Sequence, residues 1–206
     1  MNRKISLTQL VDVIARKGRN KAKMVFSIQR RLAEPYDPKK DHYRALRRAL
    51  HDAHGQSDPK EYLDHFLRTV TEPARAKRYA SLVRGYKRWI GRKQIDQFDS
   101  IPVVYEHMGI VVRINPELGL VIAGQPHVLK LYMKDQPLRR EDAEVIAALM
   151  RHAYGEGGST RYAVLDVLNA KLHSFDPDGI QVTIAMVDAE LAYIAELWRD
   201  PSKKAA

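Results

Sequence analysis

The sequence contains no cysteine and no long hydrophobic run. The absence of cysteine among the 206 residues excludes disulfide bonds, thiolate nucleophiles, thiolate zinc sites and cysteine-ligated clusters. The longest apolar runs lie around residues 109–114 and 118–124, far short of the roughly 18 residues that a membrane-spanning helix requires. The basic start Met1–Lys4 is not followed by an uninterrupted apolar segment, so we expect no signal peptide, no membrane association and a cytoplasmic location.

The composition is that of a globular protein with a basic surface. Hydrophobic residues make up 45% of the chain and charged residues 29%, and the formal net charge is +10. This length provides one large domain or two small ones with a hydrophobic core. The 11 glycines and 10 prolines are close to the average share, which excludes a collagen-like chain and argues against global disorder.

The positive charge is concentrated in the first half of the chain. Residues 1–100 contain 24 Lys/Arg and 11 Asp/Glu, a net charge of +13, whereas residues 101–206 contain 11 and 14, a net charge of −3. Such asymmetry indicates that one half meets a polyanion. We expect nucleic acid as that partner. The alternatives are a basic surface that only keeps the protein in solution, membrane headgroups, or an acidic protein.

The pattern of apolar residues changes near residue 100. The spacing is helical through residue 93 and alternating, with β-branched residues, from Ile101. Pro102 disfavours a helical conformation at Ile101, which makes this segment the natural boundary. The sequence therefore predicts a basic helical domain over residues 1–98, an α+β domain over 102–200 and a frayed tail over 201–206.

The first domain is predicted to be an all-helical bundle of four to five helices. The apolar spacing and the capping residues place these helices at about 7–17, 20–32, 41–54, from 59 onward, and 73–91. The second domain is predicted to be a small antiparallel sheet packed with two helices. Its elements are a three-strand meander at about 109–114, 118–122 and 127–134, a helix over 140–154, strands over 162–175 and 180–184, and a last helix from about residue 188.

The order of strands and helix in the second half is also that of the nuclease core of restriction-endonuclease type. That chemistry needs an acidic residue on the second strand and an acid-x-Lys motif on the third. The third strand carries Lys130 and Lys134 but has no acidic residue between Gln125 and Asp135. The pattern is absent, so we do not expect an active nuclease of this type.

Other catalytic motifs are also missing from the sequence. It contains neither a phosphate-binding loop that ends in Gly-Lys-Ser/Thr nor a Gly-x-Ser-x-Gly elbow. We therefore assign no catalytic residue, no metal ligand and no cofactor, and we favour a protein that is not an enzyme. The remaining enzymatic hypothesis places a site on the sheet, around His127, Lys130, Tyr132 and Asp166.

Two features of the basic half are candidates for nucleic-acid binding, and the first is the helix–Gly–helix around Gly18. With Gly18 as the turn of a helix-turn-helix, Val25 and Ile28 occupy the apolar positions expected in the second helix. Ile14 stands where a small residue is preferred, so the match is partial. An ordinary αα-hairpin is the alternative. In a groove reader the residues that face the DNA are Asn20, Lys21, Lys23, Ser27 and Arg30.

The second feature is the predicted helix over 73–91. Its aromatic residues lie at core spacing, so we expect contact with phosphates, without base readout and with weak sequence preference. The cations of this helix and of the two residues that follow it are Arg75, Lys77, Arg78, Arg84, Lys87, Arg88, Arg92 and Lys93.

The sequence as a whole favours a protein that binds DNA or RNA mainly through backbone phosphates. The second domain would then serve for homodimerisation or for binding a protein partner. The main alternative is an adaptor or assembly subunit whose basic half binds an acidic protein.

Overall fold

The computed structural model describes residues 3–35, 41–155, 158–175 and 179–199, and within these ranges the protein has an α+β fold with seven α-helices and two β-sheets. The helices are α1 (Leu7–Ile14), α2 (Gly18–Ala33), α3 (Arg44–Asp52) with a 3-10 turn at Ala53–Gly55, α4 (Pro59–Thr69), α5 (Pro73–Ile90), α6 (Arg140–Tyr154) and α7 (Ile180–Arg199). The strands are β1 (Lys4–Ser6), β2 (Ile95–Phe98), β3 (Val103–His107), β4 (Ile110–Ile114), β5 (Leu118–Ile122), β6 (Gln125–Tyr132), β7 (Arg161–Asp166) and β8 (Lys171–Ser174).

The larger sheet has five strands in the order β2-β5-β6-β7-β8. Strands β6 and β7 are parallel and are joined by the crossover helix α6, whereas the other neighbours in this sheet are antiparallel. Because side chains alternate along a strand, each strand contributes to both faces of the sheet. In β6, Val128 belongs to one hydrophobic core, and Leu129 and Leu131 belong to the other.

The smaller sheet has three strands in the order β1-β4-β3. Strand β1 pairs in parallel with β4, so that Lys4 lies opposite Val111, far away along the chain. Strands β3 and β4 form a hairpin whose two turn residues, Met108 and Gly109, have φ angles of 50° and 74°. Positive φ at both positions is the geometry of the turn that matches the twist of antiparallel strands.

The five-stranded sheet separates two hydrophobic cores. Helices α3, α4 and α5 cover one face, where Tyr79, Leu82 and Tyr86 pack with Leu129 and Leu165. Helices α1, α2, α6 and α7 lie on the other face together with the three-stranded sheet. Burial of apolar surface on both faces stabilises the sheet as the central layer of the molecule.

The five helices that the sequence predicts in residues 7–90 are present, but they do not form one bundle. Helices α1 and α2 share a core with α6 and α7, whereas α3, α4 and α5 lie across the five-stranded sheet from them. An apolar stripe identifies the face that a helix buries and not the element that covers it. The division into domains 1–98 and 102–200 stays a prediction, and each core takes residues from both parts of the chain.

The predicted three-strand meander is right in the pairing of its second and third strands and wrong in the pairing of its first and second. The sequence pairs the strand at 110–114 with the strand at 118–122, but β4 pairs with β1 and β3, whereas β5 pairs with β2 and β6. The turn between β4 and β5 therefore leads from one sheet to the other. Strand β1 has only three residues, and β2 and β3 lie on either side of the predicted domain boundary near residue 100. The periodicity of the sequence therefore did not reveal these strands.

Two further predictions in the second half need correction. The strand over 162–175 is two antiparallel strands, β7 and β8, separated by a turn in which Ala170 has a φ of 58°. The segment 180–184 is the start of α7 and not a strand, because Ile184 begins a helical series of buried residues that Val187 and Leu191 continue. The predicted tail over 201–206 lies outside the described residues. None of the helices in the described ranges combines the length and the apolar character needed to cross a lipid bilayer.

Candidate functional site

Helix α5 is held in the core by an aromatic stripe formed by Tyr79, Tyr86 and Trp89. It begins with Pro73 in its first turn and ends at Gly91, which has a φ of 55°. Tyr79 and Tyr86 are fully buried, and the Tyr86 hydroxyl lies 2.5 Å from His54 Nε2. Burial raises the pKa of Tyr86 far above its usual value. These rings belong to the core, so they are not available to stack on bases.

A close backbone contact fixes the side of α5 that faces the sheet. Gly85 lies against the turn that follows β7, and a Cβ atom at this position would stand 2.0 Å from the carbonyl oxygen of Val167 and 2.8 Å from that of Leu168. Only glycine allows this approach. The side of the helix opposite the buried residues Tyr79, Leu82 and Tyr86 faces the solvent.

That solvent-facing side carries four exposed cations, which we name the α5 outer face: Lys77, Arg84, Arg88 and Arg92. The spacing of 7 and 4 positions places Lys77, Arg84 and Arg88 on one side of the helix. Arg92 follows Gly91, beyond the end of the helix. Arg88 donates a hydrogen bond from Nη2 to the carbonyl oxygen of Leu168 at 3.3 Å. In the described part of the chain, no carboxylate lies within ion-pair distance of these four side chains.

The other predicted cations of this segment are engaged within the protein. Lys87 Nζ lies 2.6 Å and 2.8 Å from the two carboxylate oxygens of Asp64. Arg75 Nε lies 2.8 Å from a carboxylate oxygen of Glu72. The remaining two are Arg78, which donates to Asp135 and to the carbonyl of Met133, and Lys93, which donates to the carbonyl of Trp89 and lies 5.3 Å from its ring centre.

Helix α2 divides its predicted site residues between two roles. Lys21 Nζ lies 2.5 Å from Glu190 Oε1, and both side chains are only 19% exposed, so this pair connects α2 to α7. Val25 and Ile28 are buried, as the helix-turn-helix alignment expects. The exposed residues of one side, which we name the α2 outer face, are Arg19, Asn20, Lys23 and Arg30; Arg19 is not among the residues predicted from the sequence.

The start of α2 differs from the prediction. Gly18 has a φ of 52° and opens α2, whereas α1 ends at Ile14 with Ala15 as its C-cap. Asn20 lies inside the first turn and is not the N-cap, which is Lys17. Because α2 and α5 belong to different cores, their outer faces are two separate surfaces and not one continuous site.

The residues of the sheet-centred enzymatic hypothesis do not converge. Lys130, Tyr132 and Asp166 point to the same face of the five-stranded sheet, with Tyr132 opposite Asp166 in the β6–β7 register. His127 is an odd number of positions away from Lys130 along β6, so its side chain points to the opposite face of the sheet. Burial is the main cause that lowers the pKa of His127, and burial likewise raises the pKa of Tyr132.

One feature that sequence reasoning missed is a cleft of about 830 Å³ at the junction of the two sheets. It is bordered by α1, Asp41 and the start of α3, the end of β4, the end of β6 and the start of α6. No local motif indicates it, since its borders come from segments more than 100 residues apart. We name it the junction cleft.

The described residues contain no group of three or more His, Asp or Glu side chains that could hold a metal ion. No known protein family matches the chain, and neither does any curated protein sequence.

Proposed function

We propose that the protein binds nucleic acid, chiefly through contacts between backbone phosphates and the α5 outer face. The observation that carries the proposal is the grouping of Lys77, Arg84 and Arg88 on one exposed side of α5, with the exposed Arg92 just after the helix, all without a described carboxylate partner. A cation that is already paired gains little from a phosphate, whereas an unpaired exposed cation releases condensed counterions when it binds one.

The dimensions of this face suit a polyanion. Lys77 and Arg88 are eleven residues apart, which corresponds to roughly 16 Å along the helix axis. A DNA duplex carries one negative charge per about 1.7 Å of its axis, so several phosphates come within reach of this length. Three of the four side chains are arginines, whose planar guanidinium matches the geometry of a phosphate.

The binding is expected to depend little on base sequence. Contacts to phosphates position a protein on nucleic acid but carry no sequence information. Tyr79, Tyr86 and Trp89 are the aromatic residues of α5 that could stack on bases, and all three are buried. The adaptor hypothesis, in which the same face binds an acidic protein, predicts instead that unrelated DNA and heparin do not compete with the partner.

The test is charge reversal on the α5 outer face. Fluorescence anisotropy would measure the affinity of the wild type and of K77E/R84E/R88E for labelled duplex DNA, single-stranded DNA and RNA at low salt. We expect the triple variant to bind about 100-fold more weakly, which corresponds to about 1 kcal/mol for each lost contact. The loss should be similar for unrelated sequences.

The α2 outer face supplies a control with the same change in net charge. R19E/K23E/R30E alters three exposed cations on the other side of the five-stranded sheet. We expect this variant to keep its affinity within about threefold, because only long-range electrostatics change. An equal loss in both triple variants, or a loss confined to the α2 variant, would refute the assignment to α5.

For the second predicted domain, residues 102–200, we propose a role in homodimerisation or partner binding. What supports it is the exposure of apolar side chains on β3 and α7: Val104 is 61% exposed and Val182 is 76% exposed. Exposed apolar groups of this size favour an interface when they lie close together. Light scattering on the wild type and on V104K/V182K tests this: a dimer that the substitutions dissociate supports the proposal, and a monomeric wild type without a bound protein contradicts dimerisation.

A further inference from the structure

The junction cleft is built from both halves of the chain and from both cores. Its volume of about 830 Å³ lies within the range of small-molecule sites. Leu7 and Val11 of α1 and Ile146 of α6 line it from one core, and Leu131 and Met133 line it from the other. The cleft therefore offers apolar contact area in addition to its charged groups.

Among the residues that the structure describes, each carboxylate that lines the junction cleft is paired with one cation. Such pairing leaves no uncompensated negative charge to repel an anion. The four pairs are Asp12 with Lys134 at 2.5 Å, Asp41 with Arg47 at 2.5 Å, Glu117 with Lys130 at 2.6 Å, and Asp142 with Arg139 at 2.5 Å.

Two arginines of the described lining remain after this pairing, so this part of the lining carries a surplus of positive charge. Arg113 lies on β4 and is exposed, and its side chain has no hydrogen-bond or ion-pair partner among the described residues. Arg16 follows α1 and donates a hydrogen bond to the backbone carbonyl of Asp12, which leaves most of its donors available. A guanidinium group with free donors binds phosphate or carboxylate oxygens in a bidentate manner.

Two tyrosines add ring contacts to the lining. Tyr43 lies between Asp41 and α3, and Tyr132 is the last residue of β6. The Tyr132 hydroxyl donates a hydrogen bond to the carbonyl oxygen of Gln136 at 2.7 Å, so the position of its ring is held by the backbone. Fixed aromatic side chains favour a ligand with a planar ring.

We propose that the junction cleft binds a small ring-bearing organic phosphate, with the chemistry of a mononucleotide. Arg113 and Arg16 bind the phosphate, and the tyrosines with the aliphatic wall contact the ring and its attached carbon atoms. The cleft shares no residue with the α5 outer face. The proposal of a nucleotide site therefore does not depend on the proposal of nucleic-acid binding.

Isothermal titration calorimetry with AMP, GMP, CMP and UMP tests the proposal on the full chain. We expect at least one of the four to bind, the matching nucleoside to bind at least tenfold more weakly, and inorganic phosphate to bind more weakly than the nucleotide. R113Q and R16Q should each weaken the nucleotide by about tenfold, as expected when a charged contact of about 1.4 kcal/mol is lost. Because the Arg113 side chain is exposed and has no described partner, R113Q should have the same urea midpoint of unfolding as the wild type.

The α5 variant K77E/R84E/R88E is the control for binding elsewhere on the basic surface. It should bind the nucleotide with wild-type affinity. The proposal is overturned when none of the four nucleotides binds at concentrations up to about 5 mM, where a heat signal from sites of this class is still measurable. It is also overturned when both arginine variants bind as the wild type does, or when the α5 variant loses nucleotide binding.

Discussion

Lys130 Nζ lies 2.6 Å from Glu117 Oε1 in a nearly buried ion pair, with 13% and 12% of the two side chains exposed. Lys130 also donates to the carbonyl oxygen of Asn115 at 2.8 Å, and the other oxygen of Glu117 accepts from the backbone N–H of Leu131 at 2.8 Å. The pair thus connects β6 to the chain that leads from the three-stranded sheet into β5. A buried pair of this kind is costly to break, because the remaining charge stays buried without compensation.

Removal of one partner of this pair should destabilise the protein more than removal of both. We expect E117Q to lower the free energy of unfolding by about 3 kcal/mol, since it leaves the Lys130 ammonium uncompensated. The double variant E117Q/K130M should recover more than half of that loss. Urea unfolding of the wild type, the two single variants and the double variant measures the coupling. Additive losses would show that the two side chains do not stabilise each other.

Introduction of a methyl group at Gly85 should loosen the contact between α5 and the sheet. We expect G85A to lower the free energy of unfolding by at least about 2 kcal/mol, because its Cβ would overlap the carbonyl oxygen of Val167 and force the helix away from the sheet. Gly55 offers the matched control, since a Cβ there meets nothing within 4 Å. G55A should leave the urea midpoint almost unchanged, and an equal effect of both substitutions would contradict the close approach.

The protein should lose stability between pH 6.5 and pH 4 through His54. Burial, and then the nearby charge of His51, lower the pKa of His54 from 6.5 to about 4. A histidine whose pKa is lower in the folded protein binds protons better when unfolded, so its contribution to stability is complete above pH 6.5 and is lost as the pH falls towards 4. Allowing for partial exposure of the ring, we expect a loss of roughly 2 kcal/mol.

Substitution of His54 identifies this contribution to the pH dependence. In H54Q the difference in unfolding free energy between pH 7 and pH 4.5 should be smaller than in the wild type by most of that amount. H65Q, which alters an exposed histidine of α4, is the control and should keep the wild-type pH dependence. A pH profile of H54Q that matches the wild type would contradict the assignment.

Alanine substitutions at Lys21 and Lys23 should have different effects on the stability of the protein. K21A breaks the ion pair with Glu190 and should lower the free energy of unfolding by about 1 kcal/mol, because that pair is mostly shielded from solvent. K23A removes an exposed side chain without a described partner and should leave stability unchanged. Thermal unfolding of the two alanine variants compares them directly. A larger loss in K23A would place the α2–α7 contact elsewhere.

Local signals in the sequence predicted most of the helices well. The predicted helix over 140–154 coincides with α6, and Asp58 caps α4 ahead of Pro59 as the capping rules require. These features depend on neighbouring residues alone. The same holds for the aromatic stripe of α5, which the spacing assigns to the core and which is buried.

Long-range pairing could not be predicted from the sequence. The three residues of β1 pair with β4 more than 100 positions away, and no periodicity connects them. The β-branched residues at the start of α7 favour a strand locally, but packing of Ile184 and Val187 in the core favours the helix. The junction cleft was missed for the same reason, since Arg16 and Arg113 become neighbours of one cleft only through the fold.

The salt dependence of nucleic-acid affinity tests the central claim most directly. With four phosphates neutralised by the α5 outer face, the slope of log affinity against log salt for duplex DNA should be about −3.6, equivalent to an affinity roughly 100-fold lower at 200 mM than at 50 mM salt. In K77E/R84E/R88E the slope should fall to about −1, since one cation of this face remains. Absence of binding at 50 mM salt, or a steep slope that the triple variant retains, would contradict the account.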